Sequence, residues 1–351
     1  MKLPEHYSHP VAVDLFCGAG GLSYGMQRAG ISISGGIDID PACKYPFETN
    51  VKSTFHLHDV AELSSDFVAS LFPRGQTRIL AGCAPCQPFS TYTQGSTGGK
   101  RQWELLPKFG EIVREIQPEV VTMENVPRLT AHPVFEEFLN ILDLADYQMS
   151  HQVVRCADYG VPQTRSRLVL LASRLGDIQL LPPTHTDDGH LTVRDTIQHL
   201  DNIDAGAASA FDPLHRSSGL SKRNLLRIRQ SKPGGTWRDW DDSLRAECHI
   251  RESGRTYPGV YGRMQWDRPA PTMTTQFHGF GSGRFGHPEE DRAISLREGA
   301  LLQTFPKDYS FVPAGDRIHM TSVARLIGNA VPVKLGEAIG RSIMVHLEEL
   351  Q

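Results

Sequence analysis

What this 351-residue sequence lacks excludes several classes of protein at once. No apolar run approaches the roughly 18 to 20 residues that span a bilayer. The opening MKLPEHYSHP has neither the charged-then-apolar layout of a signal peptide nor the character of a transit peptide. A cytoplasmic protein with no membrane partner is expected. Cysteine is scarce: Cys17, Cys43, Cys83, Cys86, Cys156 and Cys248 are scattered along the chain, which argues against a small disulfide-stapled scaffold and for free thiols. Cys83 and Cys86 form a CxxC, but no second CxxC and no HxxxH pair is there to complete a four-ligand zinc site. Internal repeats and low-complexity tracts are absent too. With 39% hydrophobic residues the chain can bury a core without staples, as one large domain or two moderate ones.

Nor is the sequence basic: its net charge of −4, taken alone, argues against a polyanionic ligand. The charge is unevenly spread, however. Between Leu214 and Arg268 stand 12 Lys and Arg against 6 Asp and Glu, net +6, leaving 24 against 34, net −10, elsewhere. Trp237, Trp240, Tyr257, Tyr261 and Trp266 are interleaved with that charge. The stretch is either a solvated Arg-rich face or a surface that grips phosphates, and the aromatics favour the second.

What is present from residue 11 is alternation. VAVDLF, an amphipathic run at 21–29, ISISGGID and a second amphipathic run at 41–49 read as strand, helix, strand, helix, the pattern of a doubly wound sheet. RILAG (78–82), EVVTME (119–124) and strands near 150–155 and 167–172 continue it, with helices at 103–117 and 134–145. An α/β domain is therefore expected from 11 to about 175. After Leu181 the linker-like LPPTHTDDGH leads into a less regular second domain, and helical signals return at 295–305 and over the last thirty residues.

DLFCGAGGLSYG places a Gly-rich turn between the first strand and first helix, where backbone approaches a ligand closely and the helix N-terminus favours an anion. Asp38, some twenty residues on in GIDID, is placed to accept hydrogen bonds from ribose hydroxyls, so a nucleoside ligand is expected. Asp59 either accepts from an adenine amine or caps a helix.

GCAPCQPFS (82–90) follows the third long strand. A redox dithiol needs its CxxC to open a helix, which Pro88 opposes. Cys83, at the strand end, reads as a packing thiol. Cys86 lies in a Pro-stiffened loop at the carboxyl edge of the sheet, where open α/β sheets place chemistry, and reads as a nucleophile. VTMENVP delivers Glu124 and Asn125 to the same edge, and a carboxyl in a partly desolvated pocket suits proton donation to a ring nitrogen. QTRSR puts Arg165 and Arg167 on one face of a strand, as donors to a carbonyl or as a surface pair.

In order, DLFCGAGG, GIDID, APCQPFS, MENV, QTRSR, REGALLQTFP and RLIGNAVPVKLGEAIG resemble the motifs of the DNA (cytosine-5)-methyltransferases over nearly the whole chain. The resemblance implies an α/β fold: a Rossmann-like S-adenosylmethionine-dependent domain (1–183), a smaller irregular target-recognition domain (184–317, core 184–290), and a helical segment (318–351) returning to the first. It implies Cys86 as nucleophile on cytosine C6, Glu124 at N3, Arg167 at O2, and Arg165 and Asn125 steadying loop and base. The cofactor, leaving as S-adenosylhomocysteine, would meet Phe16, Gly18, Ala19, Gly20, Gly21, Leu22, Asp38, Ile39, Asp59, Val60, Pro85, Asn329 and Ala330. Double-stranded DNA would meet Gln87 and Ser90 and, in the recognition domain, Arg227, Arg229, Arg238 and Arg263.

Two departures stand out. Ile39 replaces the bulky aromatic that many members stack on adenine, shifting that role toward Phe16, and TGGKRQWELL (97–106) lacks the acid-x-Arg lead-in to the catalytic loop. With no regulatory N-terminal extension evident, a prokaryotic or phage enzyme is expected, a nucleoid-associated monomer that belongs either to a restriction-modification system, with a cognate restriction endonuclease as genetic partner, or to a solitary DNA-modification system. Methylation of transfer RNA, a catalytically dead DNA-binding regulator and a nicotinamide-dependent oxidoreductase are the alternatives. The last leaves Cys86 with Glu124 unexplained.

Overall fold

The structure, a computed structural model, describes residues 9–85, 105–251 and 258–350. Cys86, Gln87 and Ser90 lie outside the described residues. The chain divides into two compact units, one formed by Met1–Tyr159, Ser166–Thr184 and Ala330–Gln351, the other by Gly160–Arg165 and His185–Asn329.

The first unit is built on a seven-stranded sheet: β1 (Pro10–Leu15), β2 (Ser32–Asp38), β3 (Phe55–Leu57), β4 (Thr77–Gly82), β5 (Val120–Asn125), β6 (Gln148–Arg155) and β7 (Ser166–Ser173), in the order β3-β2-β1-β4-β5-β7-β6. β1 and β5 are buried at all six positions, which is why their first four residues read as mostly apolar runs rather than alternating ones: helices cover both faces. β7 runs antiparallel to both β5 and β6. Because β2 and β3 lie on one side of β1 and β4 on the other, the winding direction switches between β1 and β4, and their carboxyl ends bound the crevice where such sheets bind ligands.

Helices α1 (Gly21–Arg28), α2 (Lys44–Val51), α3 (Ser65–Ser70), α4 (Leu105–Ile116) and α5 (Pro133–Asp143) follow their strands. α4 buries Leu105, Leu106, Phe109, Ile112 and Val113, a stripe of helical period, and Phe109 meets Phe138 of α5 with ring centroids 5.4 Å apart. Each such side chain contributes about 1.5 to 3 kcal/mol of burial. The unit is completed by the last helix (Val333–Glu349), whose start lies so close to α1 that a Cβ on Gly21 would sit 2.2 Å from the Val331 carbonyl oxygen.

The second unit carries α6 (Val193–Ile197), α7 (Lys222–Gln230), α8 (Glu247–Ile250), α9 (Leu296–Leu302) and α10 (Met320–Asn329), which makes the final helix α11. Its other described residues form short 3-10 helices, turns, loops and isolated bridges. One apolar cluster joins Ile228, Trp237, Trp240, Leu244, Phe280 and Ala293. Arg292, 0% exposed, is held by a two-pronged pair with Glu298 at 2.7 and 2.8 Å and by Glu290 at 2.9 Å.

The sequence boundary at 317/318 needs correction. α10 buries Val323, Ala324, Leu326, Ile327 and Gly328 within the second unit, where Gln303 Nε2 donates to the Ile327 carbonyl at 2.7 Å. Gly160–Arg165 also belongs there: Thr164 N–H donates to the Ala270 carbonyl, and Ala270 N–H to that of Pro162, both at 2.8 Å.

Candidate active site

β1 ends in a loop whose backbone turns left-handed at Phe16 (φ 61°), Gly18 (φ 53°) and Gly20 (φ 89°) before α1 begins. Glycine suits the last two positions, and a Cβ on Gly18 would meet nothing within 4 Å, so the loop faces open space. Asp38, at the end of β2, braces this loop: its Oδ2 accepts from Gly18 N–H and its Oδ1 from Asp40 N–H, both at 2.9 Å. Burial raises the Asp38 carboxyl above its usual range, with these backbone hydrogen bonds opposing. Ile39 beside it is 63% exposed, while Phe16 packs on the core. This open crest with an acid at its edge fits the nucleoside end of S-adenosylmethionine.

The other expected cofactor positions differ in character. Ala19, Leu22 and Val60 are buried in the protein's own core. Asp59 Oδ1 accepts from Ala61 N–H at 3.0 Å, the cap of a short 3-10 turn, so at least one of its oxygens has that structural task. Gly21 is required by packing against Val331. Asn329 ends α10 in the second unit, whereas Ala330 starts the return to the first.

Asp14, on β1 beneath the loop, went unnoticed in the sequence because an acid inside a strand gives no periodic signal. Its Oδ2 accepts from Ser23 Oγ at 2.5 Å, and its buried Oδ1 has no hydrogen-bond partner. Burial pushes the carboxyl up from 3.8 to about 7, opposed by the Ser23 hydrogen bond and reinforced by the charge of Asp38. The folded protein therefore holds this proton more tightly than the unfolded chain. Stability present below the unfolded value is lost as pH rises to about 7, by about 4 kcal/mol in all. Asp14→Asn is expected to remove this slope, matching wild type in urea denaturation at pH 4 and exceeding it at pH 8. A wild-type and a mutant profile running parallel between those pH values would show that Asp14 does not titrate so.

The acid site follows from strand register. β4 and β5 are parallel, with Gly82 opposite Met123, so the next residues, Cys83 and Glu124, are neighbours. Cys83 Sγ donates to Glu124 Oε2 at 3.0 Å, and one step further Asn125 Nδ2 donates to the Ala84 carbonyl at 3.1 Å. From the other side β7 pairs Leu168 with Asn125, which puts Arg167 on the Glu124 face. Arg167 Nε lies 2.8 Å from Glu124 Oε1, an ion pair in which Oε1 nevertheless lacks an aligned hydrogen bond. Glu124 is 2% exposed. Glu124, Asn125 and Arg167 are thus brought together at the end of β4, directly before Pro85. Cys83, expected only to pack, is partly exposed and bonded to the acid. Arg165 lies in the second unit, with Nη1 donating to the Met273 carbonyl at 3.0 Å.

Two of the arginines expected on DNA are internal. Arg263 is buried, its guanidinium donating to the carbonyls of Ile228, Ser231, His287 and Glu290 and to Asp291. Arg227 is buried too, over the faces of Trp240 and Tyr261 at 5.5 and 5.2 Å, with Nε donating to the Leu244 carbonyl. Trp240 and Tyr261 thus flank Arg227, while Trp237 stacks on His249 with ring centroids 4.5 Å apart. Arg229 and Arg238 are exposed, the first paired with Asp291 and the second over Trp237. Arg263→Met is expected to cost about 3 to 5 kcal/mol of unfolding free energy, since it strips donors from several buried carbonyls at once. Unchanged urea denaturation would return Arg263 to the surface.

A doubly wound sheet with one reversed strand, a glycine crest braced by Asp38 and an acid at the neighbouring strand ends define a Rossmann-like, S-adenosylmethionine-dependent methyltransferase fold. A family model for C-5 cytosine-specific DNA methylases matches residues 11–345. The type II methylase M.HgiDII of Herpetosiphon aurantiacus is 50% identical over 341 residues, 96% of each chain. The type II methyltransferase M1.HphI of Haemophilus parahaemolyticus is 31% identical over 340 residues, covering 95% of this chain and 86% of its own. Among solved structures, a DNA modification methyltransferase candidate encoded within an E. coli prophage superposes with TM-score 0.74 at 23% identity, covering 97% and 99% of the two chains. The chain belongs to the C-5 cytosine-specific DNA methylases and is a DNA (cytosine-5)-methyltransferase.

Proposed function

We propose that this enzyme methylates one cytosine within a specific duplex sequence, after flipping that base out of the helix, through a covalent bond from Cys86 to C6. The observation that carries the reading is the buried Glu124, joined to Arg167 and to the end of β4 two residues before the Pro-Cys step, beside the glycine crest. In this mechanism the Cys86 thiolate adds to C6 while Glu124 gives a proton or hydrogen bond to N3, and the ring electrons collect at C5. S-adenosylmethionine, when bound, supplies the electrophilic methyl group that C5 takes. A base removes the C5 proton, the freed pair re-forms the double bond, the Cys86 sulfur leaves as thiolate, and Glu124 recovers the N3 proton.

Arg167 would donate to O2 of the flipped ring, while the hydrogen bond of Asn125 to the Ala84 carbonyl suits it to steady the loop. Arg165 would help steady the loop and the base. Phe16, Gly18, Gly20, Asp38 and Ile39 would hold the cofactor, with Pro85, Asn329 and Ala330 near it, while Gln87 and Ser90 would face the DNA. Arg229 and Arg238 would meet phosphates or base edges. The type II relatives favour a restriction-modification role, with an endonuclease of the same specificity as partner. Bisulfite sequencing of DNA from cells expressing the protein tests the whole: methylation confined to one short motif is expected, and unmethylated DNA, or label accepted by transfer RNA instead, would contradict it.

A further inference from the structure

The proposed role of Glu124 does not require Cys83, yet the Cys83 thiol makes the one hydrogen bond to Glu124 Oε2 found among the described residues. The placement is firm: Cys83 N–H donates to the Leu15 carbonyl at 3.3 Å, tying it to β1, and the following carbonyl, of Ala84, is held by Asn125. A buried carboxyl oxygen without a donor costs about 1 to 3 kcal/mol, so the thiol has a real hold on how this group turns. We infer that Cys83 is a positioning residue for Glu124: its S–H fixes Oε2, the Arg167 guanidinium flanks Oε1, and the carboxyl plane is set before the substrate ring arrives. A thiol is a weak donor. It orients the carboxyl without competing strongly for it when N3 of the ring needs the same group. At 3.0 Å the contact is also short enough for a hydroxyl in place of the thiol to stay within hydrogen-bonding reach.

The inference rests on the proposed role of Glu124, and the test separates the two. The target duplex is methylated by wild type, Cys83→Val, Cys83→Ser, Glu124→Gln and the Cys83→Val/Glu124→Gln double variant. Thermal melting and S-adenosylhomocysteine affinity are measured beside each. Cys83→Val, similar in size but without a donor, is expected to lower kcat about tenfold, the scale of one lost hydrogen bond, while KM for the duplex and cofactor affinity hold. Cys83→Ser is expected to stay within about threefold of wild type. In the Glu124→Gln background the valine change should cost nothing further, because what it positions is gone. Where valine prevents folding, Cys83→Ala takes its place in the same cycle. Wild-type kcat in the valine variant, an equal loss in both backgrounds, or a serine variant as slow as valine overturns the inference. A fully active Glu124→Gln enzyme instead overturns the reading of Glu124 itself.

Discussion

Cys86→Ser is expected to lose methyl transfer to duplex DNA by roughly 10⁴-fold or more, the scale seen when a covalent nucleophile is removed. S-adenosylmethionine affinity should stay unchanged. The step that activates C5 is addition of sulfur to C6, and a thiol near neutral pH has an appreciable thiolate fraction where an alcohol has almost none. Serine keeps the size and the polarity of the side chain, so binding and folding serve as internal controls: isothermal titration with the cofactor and a melting curve should match wild type. A serine enzyme that turns over within tenfold of wild type would show that the nucleophile is another group. Cys83 offers the contrast, since its valine substitution leaves the attacking sulfur in place and removes only a hydrogen bond.

Glu124→Gln carries the second largest expected effect, a fall in kcat of roughly 10² to 10⁴, the range of general acid catalysis. Glutamine can still direct an N–H toward N3, but it cannot give a proton up and recover it, so ring activation suffers more than binding. KM for the duplex should move little. Glu124→Ala adds a structural loss, because Arg167 is then left largely buried without the carboxylate 2.8 Å away, and unfolding free energy should drop by a few kcal/mol. Single-turnover rates at saturating cofactor, with denaturation in parallel, separate the chemical from the structural loss. Equal rates for the glutamine variant and wild type would remove Glu124 from the proton path.

Much of the first unit could be read from the chain because burial on both faces writes itself as mostly apolar runs without alternation, as in PVAV of β1 and VVTM of β5. Direction is another matter. β7 runs against its neighbours, and SRLVLLAS would read the same either way, since periodicity reports burial and carries no sign of strand polarity. The helix at Met320–Asn329 was legible as a helix, but its apolar face does not say which neighbour covers it, hence the misplaced boundary. A count of charges likewise does not separate inward from outward arginines. It weighs Arg227 and Arg263 like any surface cation, although one stands over Trp240 and Tyr261 and the other gathers carbonyls inside the fold.

The site itself was legible in its acid and its arginine because MEN closes one strand and QTRSR opens another, and antiparallel pairing brings those two ends to the same edge. Its fourth member was not. Placing Cys83 beside Glu124 needs the β4–β5 register, Gly82 against Met123, and no local pattern states which residues of two distant strands face each other. Asp14 was hidden by the strand around it, which reads as core. Hydrophobic pattern thus conveys where the sheet is, and partner-dependent facts such as register, strand direction and the inward turn of a charged side chain appear only once the strands are assembled.

The covalent bond is the central claim, and trapping tests it most directly. The protein is incubated with S-adenosylmethionine and a duplex carrying 5-fluorocytosine at the mapped target position, then digested and sequenced by mass spectrometry. Fluorine cannot leave C5 as a proton does, so the adduct should persist after methyl transfer, with the methylated nucleotide bound to the peptide through Cys86. An adduct at Cys83, or none while the ordinary duplex is methylated normally, would contradict the account.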